Sequence, residues 1–324
     1  MTSPAPAAGL RALAEDYLAL RRRLGFELDK PAFLIRRFAE YCDDAGIDLV
    51  TTQAVLDWVL LAQPVAPTYR WLRLNAARGF AGYLHVLDPS HQVPPSDLVP
   101  YRHDRPTPCI MTGEQLEILM DAAGRLRPAL HAATFQTLIG LVAATGMRTC
   151  EAVRADDDDI DPAEGAMTLH GKNHKDRRIP LHPTTLEALA GYQRLRDQLV
   201  PHRAGQSLLI NTRGRRLNAD LTRTHFAHLV NTAGLGTLTP RPTLRALRHT
   251  FAVTTLIGWL NDDADTQASL PLLSAQLGHT KPRHTFWYLQ AVPELLQAAS
   301  DHLLRATARS VDGEGASGQT QEEP

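Results

Sequence analysis

The sequence predicts a mainly α protein: a four-helix domain followed by a larger, mostly helical domain that carries a small three-stranded sheet. Apolar residues recur every three to four positions through most of the chain, which is typical of amphipathic helices. A proline-rich stretch at 89–108 interrupts this pattern, and around 166–181 the period shortens toward that of strands. With 324 residues and 44% hydrophobic content, the chain can bury two separate cores.

The first domain is expected at 10–88, after a flexible N-terminus at 1–9. Phe33, Ile35 and Phe38 illustrate its helical spacing. Four helices are predicted, at 10–24, 31–46, 51–62 and 66–87. The six prolines of 89–108 then predict a semi-extended linker, because proline fixes φ and removes a hydrogen-bond donor.

The second domain is expected at 109–305. Thr112–Gln115 has the pattern of a capping box before its first helix, and Thr184–Glu187 repeats that pattern. Its helices are predicted at 113–124, 128–144, 185–199, 218–232, 242–260, 266–277, 284–290 and 293–304.

The strands are expected in the middle of this domain. Residues 166–181 predict a hairpin around the polar turn GKNHKDR, and the run SLLIN at 207–211 predicts a third strand. The tail at 306–324 has almost no apolar residues, so we expect it to be disordered.

The net charge of −1 argues against a nucleic-acid partner until the chain is divided into segments. Residues 151–165 hold seven acidic residues against one Arg, a net charge of −6. Residues 168–250 hold 14 Lys and Arg against four acidic residues, a net charge of +10. The acidic neighbour masks a basic segment that can meet DNA phosphates.

Composition also favours a cytoplasmic protein. No apolar run approaches the roughly 20 residues that span a bilayer, and charges occur too early for a signal-peptide core. The three cysteines share no metal-ligand or redox spacing, which is typical of incidental thiols in a reducing compartment.

Several basic, hydroxyl and imidazole groups stand at predicted breaks between elements. Arg148 follows a Thr-Gly turn, Lys172 lies in the hairpin turn, and His279 follows Leu-Gly. Arg245 and Arg248 are one helical turn apart and therefore share a face. Each of these groups alone has an ordinary explanation as a solvated or capping residue, so their order and spacing carry the argument.

The spacing resembles that of the tyrosine recombinase (phage integrase) family over residues 10–305. The matching strings are AATGMRTCE at 143–151, HGKNHKDRRIPL at 170–181, RALRHTFA at 245–252, LGH at 277–279 and FWYL at 286–289. The resemblance implies the tyrosine recombinase fold: a four-helix, SAM-like core-binding domain and a mostly helical catalytic domain with a small sheet. It implies a site-specific DNA recombinase that works without metal or cofactor.

The resemblance also implies a role for each site residue. Tyr288 attacks a DNA phosphate and leaves a 3′-phosphotyrosyl link with a free 5′-hydroxyl. Arg148 and Arg248 bind the non-bridging oxygens. Lys172 protonates the departing 5′-oxygen. His279 donates a hydrogen bond to the phosphate, and Glu151 supports the site from behind.

Arg245 departs from the family, which usually has His at this place. Arginine can bind phosphate as a third cation, but it does not deprotonate and is a poor proton acceptor. His249 follows Arg248 directly, and one residue along a helix is a rotation of about 100°, so it is not expected to replace the missing His. We therefore expect activity to survive at a lower rate.

The expected partner is double-stranded DNA, bound by four protomers on two duplexes. The sequence beyond Phe251 resembles a subgroup whose recombinases are encoded side by side in transposon-like elements, which implies homo- or hetero-oligomers with sibling recombinases. Residues 293–304 are the segment expected to dock on a neighbouring protomer. The expected location is the cytoplasm, in association with the nucleoid.

Two alternatives to this interpretation stay open. The first is an accessory or degenerate recombinase subunit that binds DNA but cleaves little, which Arg245 favours. The second is a topoisomerase-like enzyme, against which the separate four-helix domain and the LGH string speak.

Two local clusters also have alternative explanations. Asp156–Asp159 could form a cation site, but it lacks the Gly and Glu of an EF-hand loop, and a solvated loop is favoured. His225 and His228 could bind a metal, but no further ligand stands at a suitable spacing, so a polar DNA-facing side of a helix is favoured.

Overall fold

A computed structural model describes residues 9–26, 28–61, 66–101, 107–171, 176–262, 266–279, 281 and 283–291. The chain divides into two compact units, residues 1–105 and 106–324. Both are helical, and the second contains one three-stranded sheet. The predicted fold class is confirmed.

The first unit contains four helices at the predicted places. They are α1 (Leu10–Arg23), α2 (Asp29–Asp44), α3 (Thr52–Leu61) and α4 (Pro67–Leu87). Their apolar faces meet around the buried rings of Phe38, Trp58 and Phe80. Ring centroids of Phe38 and Trp58 lie 5.0 Å apart, so α2 and α3 are in direct contact at this core.

Residues 89–101, the first part of the predicted linker, pack on this unit. Val99 is buried in its core. Nδ1 of the buried His91 accepts a hydrogen bond from the backbone N–H of Val50 at 3.0 Å. The prolines of this stretch thus accompany a chain that contains turns and is packed on the first unit.

The second unit is built around one central helix. Its helices are α5 (Gly113–Gly124), α6 (Ala129–Thr145), α7 (Thr149–Arg154), α8 (Pro183–Leu199), α9 (Ala219–Thr232), α10 (Leu244–Asn261), α11 (Thr266–Leu277) and α12 (Arg283–Ala291). α6 contacts α5, α8 and α10. Phe135, Leu138 and Ile139 on α6 are all buried, as expected of a helix that is apolar all round.

The sheet confirms the predicted hairpin and corrects the third strand. β1 (Ile160–Asp161), β2 (Ala166–Leu169) and β3 (Arg177–Pro180) pair antiparallel in that order, with Met167 opposite Ile179. The prediction of a strand at 207–211 was wrong, since these residues form only isolated bridges. Leu208, Leu209 and Ile210 are all buried in succession, and such a run does not distinguish a strand from a buried loop.

Of the two capping boxes predicted from the sequence, one is formed and one is not. The capping box of Thr112 and Gln115 is formed as predicted. The box predicted at Thr184–Glu187 was wrong, because α8 begins at Pro183 and Nδ1 of His182 accepts the backbone N–H of Thr184 at 3.3 Å. Proline at the first helical position lacks only an N–H that has no partner there. The predicted helix at 293–304 and the tail at 306–324 lie outside the described residues.

Candidate active site

Gly146 ends α6 and sets the direction of the chain into Arg148. Its φ is +67°, in the left-handed region that glycine adopts without strain. A Cβ at this position would lie 2.3 Å from a ring carbon of Phe251. Only glycine therefore fits this turn, and two residues later Arg148 is the N-cap of α7.

Arg148 is held by the helix that it starts. Glu151 accepts the backbone N–H of Arg148 at 2.7 Å and its Nη1 at 2.8 Å. Nη2 donates to the carbonyl oxygen of Gly278 at 2.7 Å, which ties α7 to the end of α11. With 41% of its side chain exposed, Arg148 is fixed in position and still open to an incoming anion.

Glu151 is buried between two arginines, the second of which sequence reasoning missed. Nη1 and Nη2 of Arg177 each donate to a carboxylate oxygen of Glu151 at 2.8 Å. Burial opposes the charge of Glu151, but the hydrogen bonds from Arg177 and Arg148 prevail and lower its pKa to about 2. The alternation of β3 could have identified Arg177, because it lies two residues before the buried Ile179 and faces the same side.

Arg248 is almost completely buried, with 7% of the residue exposed. Nη1 donates to the carbonyl of Gly146 at 2.8 Å, and Nη2 donates to that of Leu277 at 2.7 Å. Burial and the charge of Arg148 lower the pKa of Arg248 to about 10, which still leaves it protonated at neutral pH. A cation that is oriented in this way by backbone carbonyls is ready to meet a second anionic ligand.

His279 contacts Arg248 and is oriented by α12. Its Nε2 lies 3.0 Å from Nη2 of Arg248, and its Nδ1 lies 2.7 Å from Oγ1 of Thr285. Since arginine only donates, Nε2 accepts and the ring proton of neutral His279 lies on Nδ1. Burial and the charges of Arg248 and Arg148 lower the pKa of His279 to about 3, so the ring is neutral at pH 7.

Tyr288 lies on α12 and is 2% exposed. Its ring is nearly parallel to that of His279, with centroids 6.5 Å apart. Burial raises the pKa of Tyr288, although the positive charge of Arg248 acts in the opposite direction. The hydroxyl is therefore protonated at neutral pH.

The hydroxyl of Tyr288 has His249 as its partner, with 2.8 Å between Oη and Nδ1. The expectation that His249 points away was wrong. His249 is one residue from Arg248 but four residues from Arg245, and residues four apart lie on the same face of a helix. Whether His249 can take the place of the missing His therefore depends on its angular position relative to Arg245, and the two share a face.

Arg245 is exposed near the start of α10. Its positive charge is among the causes that lower the pKa of His249 and that of Tyr288. Arg245 is therefore close enough to act on the site electrostatically, with its side chain on the solvent side.

Lys172 lies outside the described residues, as does the rest of its turn through 175. The start of this turn is fixed by His170. Nε2 of His170 is 2.8 Å from Oδ1 of Asp159, and Nδ1 is 3.0 Å from Oδ2 of Asp176. These two carboxylates raise the pKa of His170.

Comparison with known proteins identifies the family of the chain. The phage integrase family matches residues 110–294, which is more than half of the chain. The chain belongs to the phage integrase family of tyrosine recombinases. The prediction of a tyrosine-type site-specific DNA recombinase is confirmed.

Two relatives and one solved structure illustrate how far the similarity extends. The recombinase is 36% identical to the integrase/recombinase y4rE of Sinorhizobium fredii over 89% of this chain and 93% of the relative. It is 31% identical to the tyrosine recombinase XerC of Azotobacter vinelandii over 55% of this chain and 57% of the relative. A lambda integrase tetramer bound to a Holliday junction matches with a TM-score of 0.64 and 15% identity, over 87% of this chain and 78% of that one, which shows the shared fold.

Most of the acidic run of this recombinase is paired while Asp158 is exposed, so the expectation of a solvated loop is corrected in part. Asp157 accepts hydrogen bonds from the buried Arg196 and from Arg203. Asp156 accepts from Arg216. Several cations of the basic segment 168–250 are thus neutralised within the protein, so its net charge of +10 overstates the charge that DNA can meet.

The described part of the recombinase lacks both a metal-binding cluster and a membrane-spanning helix. Among the described residues, no group of three or more His, Cys, Asp or Glu is arranged to hold a metal ion. The ring of His225 instead contacts His131 and Phe135, at centroid distances of 5.3 Å and 6.0 Å. None of the described helices is both long enough and apolar enough to cross a membrane.

Proposed function

We propose that this recombinase cuts and rejoins duplex DNA through Tyr288. Oη attacks the phosphorus, the P–Oη bond forms and the bond from phosphorus to the 5′-oxygen breaks. A 3′-phosphotyrosyl link and a free 5′-hydroxyl result, and attack by a 5′-hydroxyl of another strand reverses the step. The observation that carries the proposal is the cluster formed by Tyr288, His279 and Arg248, in which His279 contacts both other side chains.

Arg148 and Arg248 supply the positive charge at the phosphate. Both are anchored to the same short stretch at the end of α11, Arg148 on the carbonyl of Gly278 and Arg248 on that of Leu277. Two guanidinium groups held side by side can donate to both non-bridging oxygens, where negative charge grows in the transition state. Arg245 would add a third cation from the solvent side.

His279 and Lys172 would complete the chemistry. His279 presents Nε2 toward Arg248, and with its ring proton moved to Nε2 it would donate to a phosphate bound there, while Nδ1 would accept from the hydroxyl of Thr285. Lys172 would protonate the leaving 5′-oxygen, which needs a general acid because an alkoxide is a poor leaving group. Glu151 would keep Arg148 and Arg177 in place through its buried carboxylate.

The assembly that we propose is a tetramer on two duplexes, either of identical subunits or with sibling recombinases. Residues 10–88 would bind the core site, 109–305 would carry the catalytic residues, and 293–304 would dock on a neighbouring protomer. Such an enzyme would work on the nucleoid in the cytoplasm. The tetrameric form of the lambda integrase structure supports the stoichiometry.

An accessory role is the second candidate. Two observations favour it: Arg245 stands where the family usually has His, and Tyr288 is 2% exposed. An accessory subunit would bind its site and assemble with partners without forming a covalent link.

A nicked suicide duplex distinguishes the two candidates. The cognate site would first be selected from a random duplex pool by the purified protein. A catalytic subunit yields a covalent adduct that survives detergent and disappears in Tyr288→Phe but persists in Tyr83→Phe, a control in the first unit. Binding without any adduct supports the accessory role, and an adduct that persists in Tyr288→Phe contradicts the proposed nucleophile.

A further inference from the structure

The contact between His249 and Tyr288 has the geometry of a proton transfer. Oη and Nδ1 are 2.8 Å apart, a normal hydrogen-bond distance, and the ring centroids are 5.4 Å apart at an interplanar angle of 63°. Tyr288 is 2% exposed, so bulk water has little access to its hydroxyl. The acceptor of the tyrosine proton therefore has to come from the protein.

The protonation states agree with a donor hydroxyl and an acceptor nitrogen. Burial and the charges of Arg245 and Arg248 lower the pKa of His249 to about 4, so its ring is neutral at pH 7. Burial keeps the Tyr288 hydroxyl protonated. A neutral imidazole with its proton on Nε2 offers the lone pair of Nδ1 to this hydroxyl.

The other groups of the site are less suited to accept the proton. Arg245 remains charged and has no lone pair to offer. Nδ1 of His279 is engaged by Thr285, and its Nε2 accepts from Arg248. Among the described side chains, His249 is the group within hydrogen-bond distance of Oη of Tyr288 that can take a proton.

We infer that Nδ1 of His249 accepts the proton of Tyr288 as Oη attacks the phosphate, which is the role that Arg245 cannot fill. The inference rests on the proposed function. The O–H bond breaks as the N–H and P–Oη bonds form, and the leaving 5′-oxygen takes its proton from the general acid. On rejoining, His249 returns the proton to Oη.

The surrounding charges make this transfer depend on DNA. The groups that face His249 and Tyr288 are Arg245 and Arg248 on α10, Arg148 at the start of α7 and the neutral His279 before α12. The positive charge of the three arginines opposes an imidazolium. A bound phosphate offsets this charge, so His249 becomes a better base when the substrate is in place.

Two variants of the full-length protein test the inference on the suicide duplex. His249→Gln keeps a hydrogen-bonding side chain that cannot take a proton, and His249→Ala leaves room for added imidazole. We expect both to bind the selected duplex within about threefold of wild type and to form adduct at least about 100-fold more slowly. Imidazoles should restore the rate of His249→Ala, and the restored rate should rise with the basicity of the added imidazole. His202→Gln, at an exposed residue that follows α8, is the control.

The outcomes separate this inference from the proposed function. If wild type forms no Tyr288-dependent adduct, the proposed function fails. If wild type forms it and His249→Gln cleaves at the same rate or faster, His249 only restrains Tyr288 at rest and the inference is wrong. Rescue that does not depend on the basicity of the imidazole also overturns it, since filling of a cavity would explain such a result.

Discussion

Arg177 and the buried Glu151 form a bidentate ion pair, with both terminal nitrogens of Arg177 at 2.8 Å from the two carboxylate oxygens. The same carboxylate holds Arg148. β3 is thereby connected to α7, and the arrangement places one negative charge behind an arginine that is proposed to bind phosphate. Removal of Glu151 should affect both the fold and the site.

Glu151→Ala is expected to destabilise the second unit by about 1–3 kcal/mol, because it leaves the partly buried guanidinium of Arg177 without its counterion. The free energy of unfolding in urea measures the effect. Asp161→Ala is the matched control, since Asp161 pairs with Arg178 where both side chains are about half exposed, and such a pair contributes about 0–1 kcal/mol. Equal losses of unfolding free energy in the two variants would show that the pair of Arg177 and Glu151 stabilises the protein no more than an exposed pair does.

Stability is expected to fall as the pH falls from about 6.5 toward 3, in part because of His279. Its pKa is lowered to about 3 in the folded protein, so the unfolded chain binds a proton in this window that the folded chain does not. One such proton contributes a slope of roughly 1 kcal/mol per pH unit. When the free energy of unfolding in urea is plotted against pH between 6.5 and 4, the slope for His279→Gln should be shallower than that for wild type. An unchanged slope would show that His279 is not held neutral.

Gly146→Ala is expected to cost about 2–5 kcal/mol, because it combines a left-handed φ with a collision against Phe251. Gly46→Ala separates the two causes. Gly46 has a φ of +65°, and a Cβ there would meet nothing within 4 Å, so only the backbone cost of about 1 kcal/mol is expected. If Phe251→Ala fails to relieve part of the cost of Gly146→Ala, the collision is not the cause.

DNA binding should respond to the release of a paired arginine. Asp156→Asn removes a partner of Arg216, so the plot of log binding constant against log salt is expected to steepen by up to about 0.9. Asp48→Asn makes the same charge change at an exposed residue of the first unit. Titration of a non-cognate duplex at several salt concentrations measures both. A steepening of equal size in the two variants would mean that only net charge matters.

Periodicity and motif spacing predicted most of the fold, and the errors have physical causes. α7 was not predicted because six residues are too few to show a helical period. The third strand was predicted at the wrong place. The run at 207–211 is longer and more apolar than β1, which has only two residues and therefore shows no strand pattern. The catalytic constellation depended on family resemblance, since an arginine after a glycine turn is by itself an ordinary surface residue.

The missed site residues needed the geometry of their elements. Arg177 follows from strand alternation, a pattern that was available in the sequence. His249 follows from its distance of four residues to Arg245, but its partner on α12 depends on how two helices pack, which no local pattern encodes. For this reason the contact with Tyr288 emerged only from the folded chain.

Gly146 links the positions of Arg148 and Arg248, the two arginines proposed to bind the phosphate. Its left-handed turn delivers Arg148, and its carbonyl oxygen holds Nη1 of Arg248 at 2.8 Å. The spacing of the two guanidinium groups is therefore not an independently adjustable property, because any change at this residue alters both together. In engineering or evolution, the enzyme can vary its DNA contacts around this pair while the pair itself is inherited as one part.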